Sequence, residues 1–132
     1  MKLILDTDIC IYIIKQHPPS VLERFLSHPV GDIGISSITV AELEYGVSKS
    51  RHTTKNRAAL AQFLSPLEVA SFDRDAAASY GRLRATLEQK GTPIGSMDLL
   101  IAAHALSLGV RLVTNNAREF RRVPGLRVEN WV

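Results

Sequence analysis

The strongest constraint on the fold is an alternation: five short apolar runs are separated by longer segments with helical spacing. The runs are MKLILD at 1–6, GDIGIS at 31–36, EVASF at 68–72, VRLVT at 110–114 and LRVENW at 126–131. Each has the length and composition of a strand. Between them, apolar residues recur at helical intervals over 7–15, 20–27, 38–48, 54–64, 74–90 and 97–108. Pro18-Pro19, Pro66, Gly91-Thr92-Pro93 and Gly109 mark the breaks. Strands joined through helices pair in parallel, and a parallel sheet must be covered on both faces. The expectation is an α/β domain of three layers spanning 1–132, with a central parallel sheet and helices on both sides. With 132 residues and no repeat or linker, the chain can bury one core without staples.

The segment 97–108, MDLLIAAHALSL, is apolar almost all round a helix and therefore belongs in the interior. Its opening pair, Met97-Asp98, carries a carboxylate to the edge of the core. Open parallel sheets bind ligands beyond the carboxyl ends of their strands. Asp6, Glu42, Asp98 and Asn115-Asn116 all fall at that edge. Each acid also has a local role open to it: Asp6 as an N-cap, Asp98 in the helix dipole behind Ser96 as N-cap, and Glu42 in a Thr39-x-x-Glu42 capping box. Asp8 suits the first turn of a helix for the same electrostatic reason. Convergence would change the balance, because two carboxylates about 4 Å apart repel by roughly 4 kcal/mol at an effective dielectric of 20. Three together call for a cation or a bound proton. An oxygen-only ligand set favours Mg²⁺ or Mn²⁺ over zinc. Periodicity does not separate Glu42 from Glu44, since both have apolar neighbours three and four residues away.

Composition narrows the partners. The net charge is only +3, but residues 49–57, KSRHTTKNR, hold four cations and no acid. Five arginines lie between 111 and 127 against the single Glu119. Such runs suit phosphate, although plain solvated surface is the simpler account of them. Cys10 is the only cysteine, which excludes an intramolecular disulfide and a thiolate zinc cluster. No stretch is long and apolar enough for a signal peptide or membrane span, so a reducing cytoplasm is expected. The histidines do not cluster. His17 and His28 precede prolines, His52 sits among basic residues, and His104 lies six residues past Asp98, about 240° round the helix.

The order LDTD at 5–8, SSITVAELEYG at 36–46, GTPIGSMDLLIAAHA at 91–105, VTNNAREF at 113–120 and PGLRVENW at 124–131 resembles the VapC toxins among the PIN-domain ribonucleases. The resemblance covers nearly the whole chain, and its specificity lies in the joint order and spacing. It implies a PIN-like parallel sheet and an acidic pocket for Mg²⁺ or Mn²⁺, with Asp6, Glu42 and Asp98 as the catalytic acids and Asp6 and Asp98 as metal ligands. Thr7 and Thr114 resemble the family's supporting hydroxyls. The family's frequent further acid after the fourth strand is Asn116 here. Three arrangements stay open: Asn116 acting through water, Glu119 in its place, or three acids alone. The implied activity is that of an endoribonuclease toxin of a type II toxin–antitoxin pair, cutting tRNA or rRNA loops, forming a homodimer and held in check by a VapB-type antitoxin. The first helix, with Ile9, Ile11, Tyr12, Ile13 and Ile14, has more apolar surface than one core-facing stripe requires, which suits such a partner.

Other readings compete. A PIN fold could serve as a noncatalytic RNA-binding or assembly subunit. Asp6-Thr7-Asp8 imitates the nucleophile pair of haloacid-dehalogenase-like phosphohydrolases, but Asn115-Asn116 stands where that family has acids. A receiver-like module would need a phosphoacceptor Asp ending a central strand, and the second run ends in Ile35-Ser36.

Overall fold

A computed structural model describes residues 1–132. Strand β1 (Leu3–Leu5) lies at the centre of a five-stranded sheet of order β3-β2-β1-β4-β5, with β2 at Ile33–Ser36, β3 at Glu68–Ala70, β4 at Arg111–Val113 and β5 at Val128–Glu129. All four pairings are parallel; Leu3 is in register with Ile33 and Arg111, and Leu5 with Val113. The helices are α1 (Thr7–Lys15), α2 (Pro19–Leu26), α3 (Ser37–Ser48), α4 (Thr53–Leu64), α5 (Arg74–Gln89), α6 (Ser96–Leu108) and α7 (Ala117–Phe120). No helix is long and apolar enough to cross a membrane.

The period of two along each strand divides the core. Leu3 and Leu5 pack on one side with Ile33, Ile35 and the buried faces of α1 to α4, while Ile4 and Leu112 pack on the other with α5, α6 and α7. From β1 the chain steps outward through β2 to β3, then returns to place β4 on the opposite side of β1. This reversal opens a crevice at the carboxyl ends of β1 and β4, where open α/β sheets bind ligands.

Helix α6 runs through the interior as its composition requires, with Leu99, Ile101, Ala102, Ala103, His104 and Ala105 all buried. Gly109 ends it at φ 68°, a left-handed conformation that glycine adopts without a Cβ clash. The strands are shorter than the apolar runs, most visibly at the sheet edge β5, which has one neighbour and keeps only Val128–Glu129 of its run. Two elements escape periodicity because they are too short to show it: the 3-10 turn Val30–Asp32 and helix α7.

Candidate active site

Asp6 leaves the sheet with its backbone still tied to it, since its N–H donates to the Val113 carbonyl at 2.8 Å. It is the N-cap of α1, and its Oδ1 accepts from the Thr7 N–H at 2.8 Å. Its Oδ2 accepts from the Thr114 hydroxyl at 2.6 Å. Thr114 is fully buried, and its N–H donates to the Glu129 carbonyl at 2.9 Å. β1, β4 and β5 thus hold this carboxylate jointly. Both oxygens are engaged and the residue is 5% exposed, which argues against Asp6 as a phosphohydrolase nucleophile.

Glu42 comes from helix α3, but not through a capping box. Ser36, at the end of β2, caps α3 by accepting from the Ile38 N–H, and Thr39 lies buried inside the helix. The helix starts at the strand's end, three residues before Thr39, so Glu42 is not needed at the cap. Its Oε1 instead accepts from the Thr7 hydroxyl at 2.7 Å, which joins α3 to the start of α1. Glu44, about 200° round the helix from Glu42, is exposed and pairs with Arg57 at 2.7 Å. Tertiary placement thereby separates two glutamates that spacing leaves equivalent.

Asp98 stands in the first turn of α6, whose N-cap is Gly95 rather than Ser96. The glycine offers no capping side chain. Glu119 of α7 supplies an acceptor from outside, taking the Gly95 N–H on Oε1 at 2.8 Å. The Asn116 amide donates to Glu119 Oε2 at 2.7 Å and, more weakly, to Asp98 Oδ2 at 3.4 Å. A Cβ on Gly95 would stand 3.6 Å from Asp98 Oδ2 and 3.8 Å from Glu119 Oε1, so the lane beside these carboxylates is bare of side chain.

Two further groups complete the cleft. Asp8 accepts from the N–H groups of Ile9 and Asn115 at 2.7 and 3.2 Å. It does occupy the first turn of α1, as the dipole argument expects, and it also faces the other acids. Its spacing two residues from Asp6 was the available signal. Glu119 lay within the motif but could not be placed without the fold. The histidines stay apart: buried His104 meets the Ser36 hydroxyl at 2.7 Å and the edge of Phe72, away from the acids.

The electrostatics have a common cause. Burial, then the charges of Asp8 and Asp98, push Asp6 up to about 7 against the opposing hydrogen bonds from Thr114 and Thr7. Burial, then Glu119, Glu42 and Asp8, push Asp98 up to about 6. Asp8 is raised too, chiefly by burial. Glu119 is lowered by the Gly95 N–H and the Asn116 amide. None of these acids, nor Glu42, forms an ion pair with Lys or Arg. No three of them close into a ready-made ligand cage. Acids lining a cleft without a cationic partner fit a divalent cation, and their all-oxygen donors fit Mg²⁺ or Mn²⁺.

This arrangement has a measurable cost to folding. With Asp6 held near 7 in the folded chain against an ordinary 3.8, the folded state keeps a proton that the unfolded state loses between those pH values. Stability must fall as pH rises through that window, by at most roughly 4 kcal/mol. In Asp6→Asn the charge is gone, but one of the two hydrogen bonds to the carboxylate is lost as well. In EDTA at pH 8 the variant is expected to be more stable than the parent by about 2 kcal/mol, and at pH 4 to lose that advantage. Urea unfolding at both pH values checks this; an advantage independent of pH would contradict the assignment of the strain to Asp6.

A parallel sheet of this order, with acids gathered at the β1–β4 crevice, defines a class, and the chain belongs to the PIN-domain family, whose profile matches residues 3–126. Its relatives within that family are VapC ribonucleases. It is 49% identical over 132 residues to "Ribonuclease VapC2" of Rickettsia felis, covering 99% of this chain and 98% of that protein. It is 47% identical over 131 residues to "tRNA(fMet)-specific endonuclease VapC" of Salmonella typhimurium, covering 99% and 98%. A solved structure of DNA-bound VapBC from Salmonella typhimurium superposes with a TM-score of 0.95 at 47% identity, covering 100% of this chain and 99% of that one.

Proposed function

We propose that this chain is a metal-dependent endoribonuclease, the toxin of a toxin–antitoxin pair, with Asp6, Glu42 and Asp98 as its catalytic acids. The observation that carries the site assignment is the set of carboxylates without cationic partners at the β1–β4 crevice, one of them almost fully buried. Asp6 and Asp98 are the metal ligands in this reading. Thr114 and Thr7 fix Asp6 and Glu42 through their hydroxyls, and the Asn116 amide bridges Asp98 and Glu119 by donating to both. Asp6 and Asp98 would hold a divalent cation there, which would supply a water of lowered pKa and stabilise charge on the attacked phosphate. Asp6 and Asp98 hold protons in mildly acidic solution and must release them from Oδ atoms before a cation can be held.

The substrate is RNA, most accessible to protein in loops whose bases are splayed. The name of the Salmonella relative narrows the proposal to initiator tRNA. The partner is a VapB-type antitoxin, which the VapBC structure supports, and the compartment is the cytoplasm, where tRNA resides. The apolar surplus of α1 has a place for such a partner. Ile11 and Ile14 line a groove of about 380 Å³ shared with Leu43 and Val47 and bordered by Glu42. A segment bound there could set an Arg among the carboxylates. We further propose a homodimer as the assembled form.

The test is incubation of the purified chain with total RNA and Mg²⁺, followed by sequencing of new RNA ends. One dominant cut in initiator tRNA is expected, suppressed by the co-purified antitoxin. Uniform degradation, or an untouched RNA pool, would defeat the proposal.

A further inference from the structure

Helix α3 continues beyond Glu42 in a way the acid site does not explain. Glu42, Gly46 and Lys49 are spaced i, i+4 and i+7, so they form one stripe along the helix, and Tyr45 adjoins it. Glycine in the middle of a helix is unfavourable relative to alanine. A conformational or packing need would justify it, yet a Cβ on Gly46 would meet nothing within 4 Å. Its backbone φ is not positive. What the glycine does provide is an open lane between the Glu42 carboxylate and the Lys49 ammonium, along the border of the groove that holds both.

Tyr45, next to the lane, is 67% exposed, although a large aromatic ring gains nothing from water. The Lys49 ammonium sits 4.9 Å from its ring centroid. Lys15 and Lys49 flank the groove, and Arg51 and Lys55 are exposed just beyond; none of the four is in an ion pair. A bare strip, an exposed ring and unpaired cations running away from an acidic site match the chemistry of a single-stranded polynucleotide: backbone against the strip, phosphate on the ammonium, base on the ring.

We propose that Tyr45, Gly46 and Lys49 form an RNA subsite adjoining the catalytic acids, with Tyr45 stacking a base of the substrate, Lys49 holding a phosphate, and Gly46 giving the strand its path. This rests on the ribonuclease reading and specifies how the substrate is held. The subsite lies on the shared border of the groove assigned to the antitoxin, so the two ligands would exclude one another.

The experiment measures binding apart from cleavage, using Asp98→Asn chains in Mg²⁺ and a labelled initiator-tRNA transcript at several salt concentrations. Tyr45→Ala is expected to weaken binding roughly 5- to 100-fold, and Tyr45→Phe to bind as the parent does, since the ring and not the hydroxyl stacks. Lys49→Gln should reduce the slope of log affinity against log salt by about 0.7. Gly46→Ala should bind RNA more weakly while melting about 3 °C higher, opposite signs that a structural role would not produce. Binding by the parent that is indifferent to these variants overturns the subsite alone. So does an effect of Tyr45→Ala confined to self-association or antitoxin affinity, which would assign the ring to a protein interface. No binding by the parent at any salt overturns the ribonuclease reading and the subsite with it.

Discussion

Asp98→Asn is expected to reduce RNA cleavage by more than about 100-fold while leaving the chain folded. Loss of an outer partner of a metal ligand already costs roughly 10- to 100-fold, and loss of a ligand's charge should cost more. The fold should survive because the substitution nearly conserves volume. Asp98 is only half-buried, and its one side-chain partner, the Asn116 amide, sits at 3.4 Å and can still donate to an amide oxygen. Asp6→Asn should match it in activity, because asparagine caps a helix as well as aspartate and keeps α1 in place. Circular dichroism and a timed cleavage assay at equal protein and Mg²⁺ concentrations provide the readout. Cleavage by purified Asp98→Asn at the parent's rate would remove that residue from the site.

Cleavage should stop in EDTA, return with Mg²⁺ or Mn²⁺, and need no zinc, because the acids offer oxygen donors only: the Cys10 thiol is packed in the core, where burial holds it protonated, and His104 hydrogen-bonds to Ser36. The pH dependence of this rescue follows from the same geometry. Cation binding requires ionised carboxylates, and Asp6 and Asp98 are raised to about 7 and about 6. Protons therefore compete below those values and cease to compete above them. The Mg²⁺ concentration needed for half-maximal cleavage should fall as pH rises from 5.5 to 8, by up to about tenfold per pH unit for each carboxyl that must lose its proton. Undiminished cleavage after rigorous metal removal, or a metal requirement that is flat across this range, would count against the acids as ligands.

Much of this protein was legible in the order of its residues. Alternating apolar runs and helical segments led to the parallel sheet, since strands that cannot meet through hairpins must pair through crossovers. Six helices begin and end within two residues of their sequence boundaries, because prolines, glycines and side-chain caps act locally. The resemblance to VapC toxins likewise rested on order and spacing alone. What only the tertiary structure decided depends on contacts between distant segments. The Ser36 cap displaced the Thr39–Glu42 box because the strand before α3 fixes where that helix starts, and Gly95 replaced Ser96 because Glu119 reaches it across 24 positions. Spacing leaves Glu42 and Glu44 equivalent and the resemblance favours Glu42; the contacts that set the two apart are Thr7, 35 residues away, on Glu42 and Arg57 on Glu44. Local sequence determines which elements form, since capping and periodicity act over a few residues. Which carboxylates share a cleft, and how far burial and mutual repulsion raise them, is a property of segments that meet only when the sheet has closed.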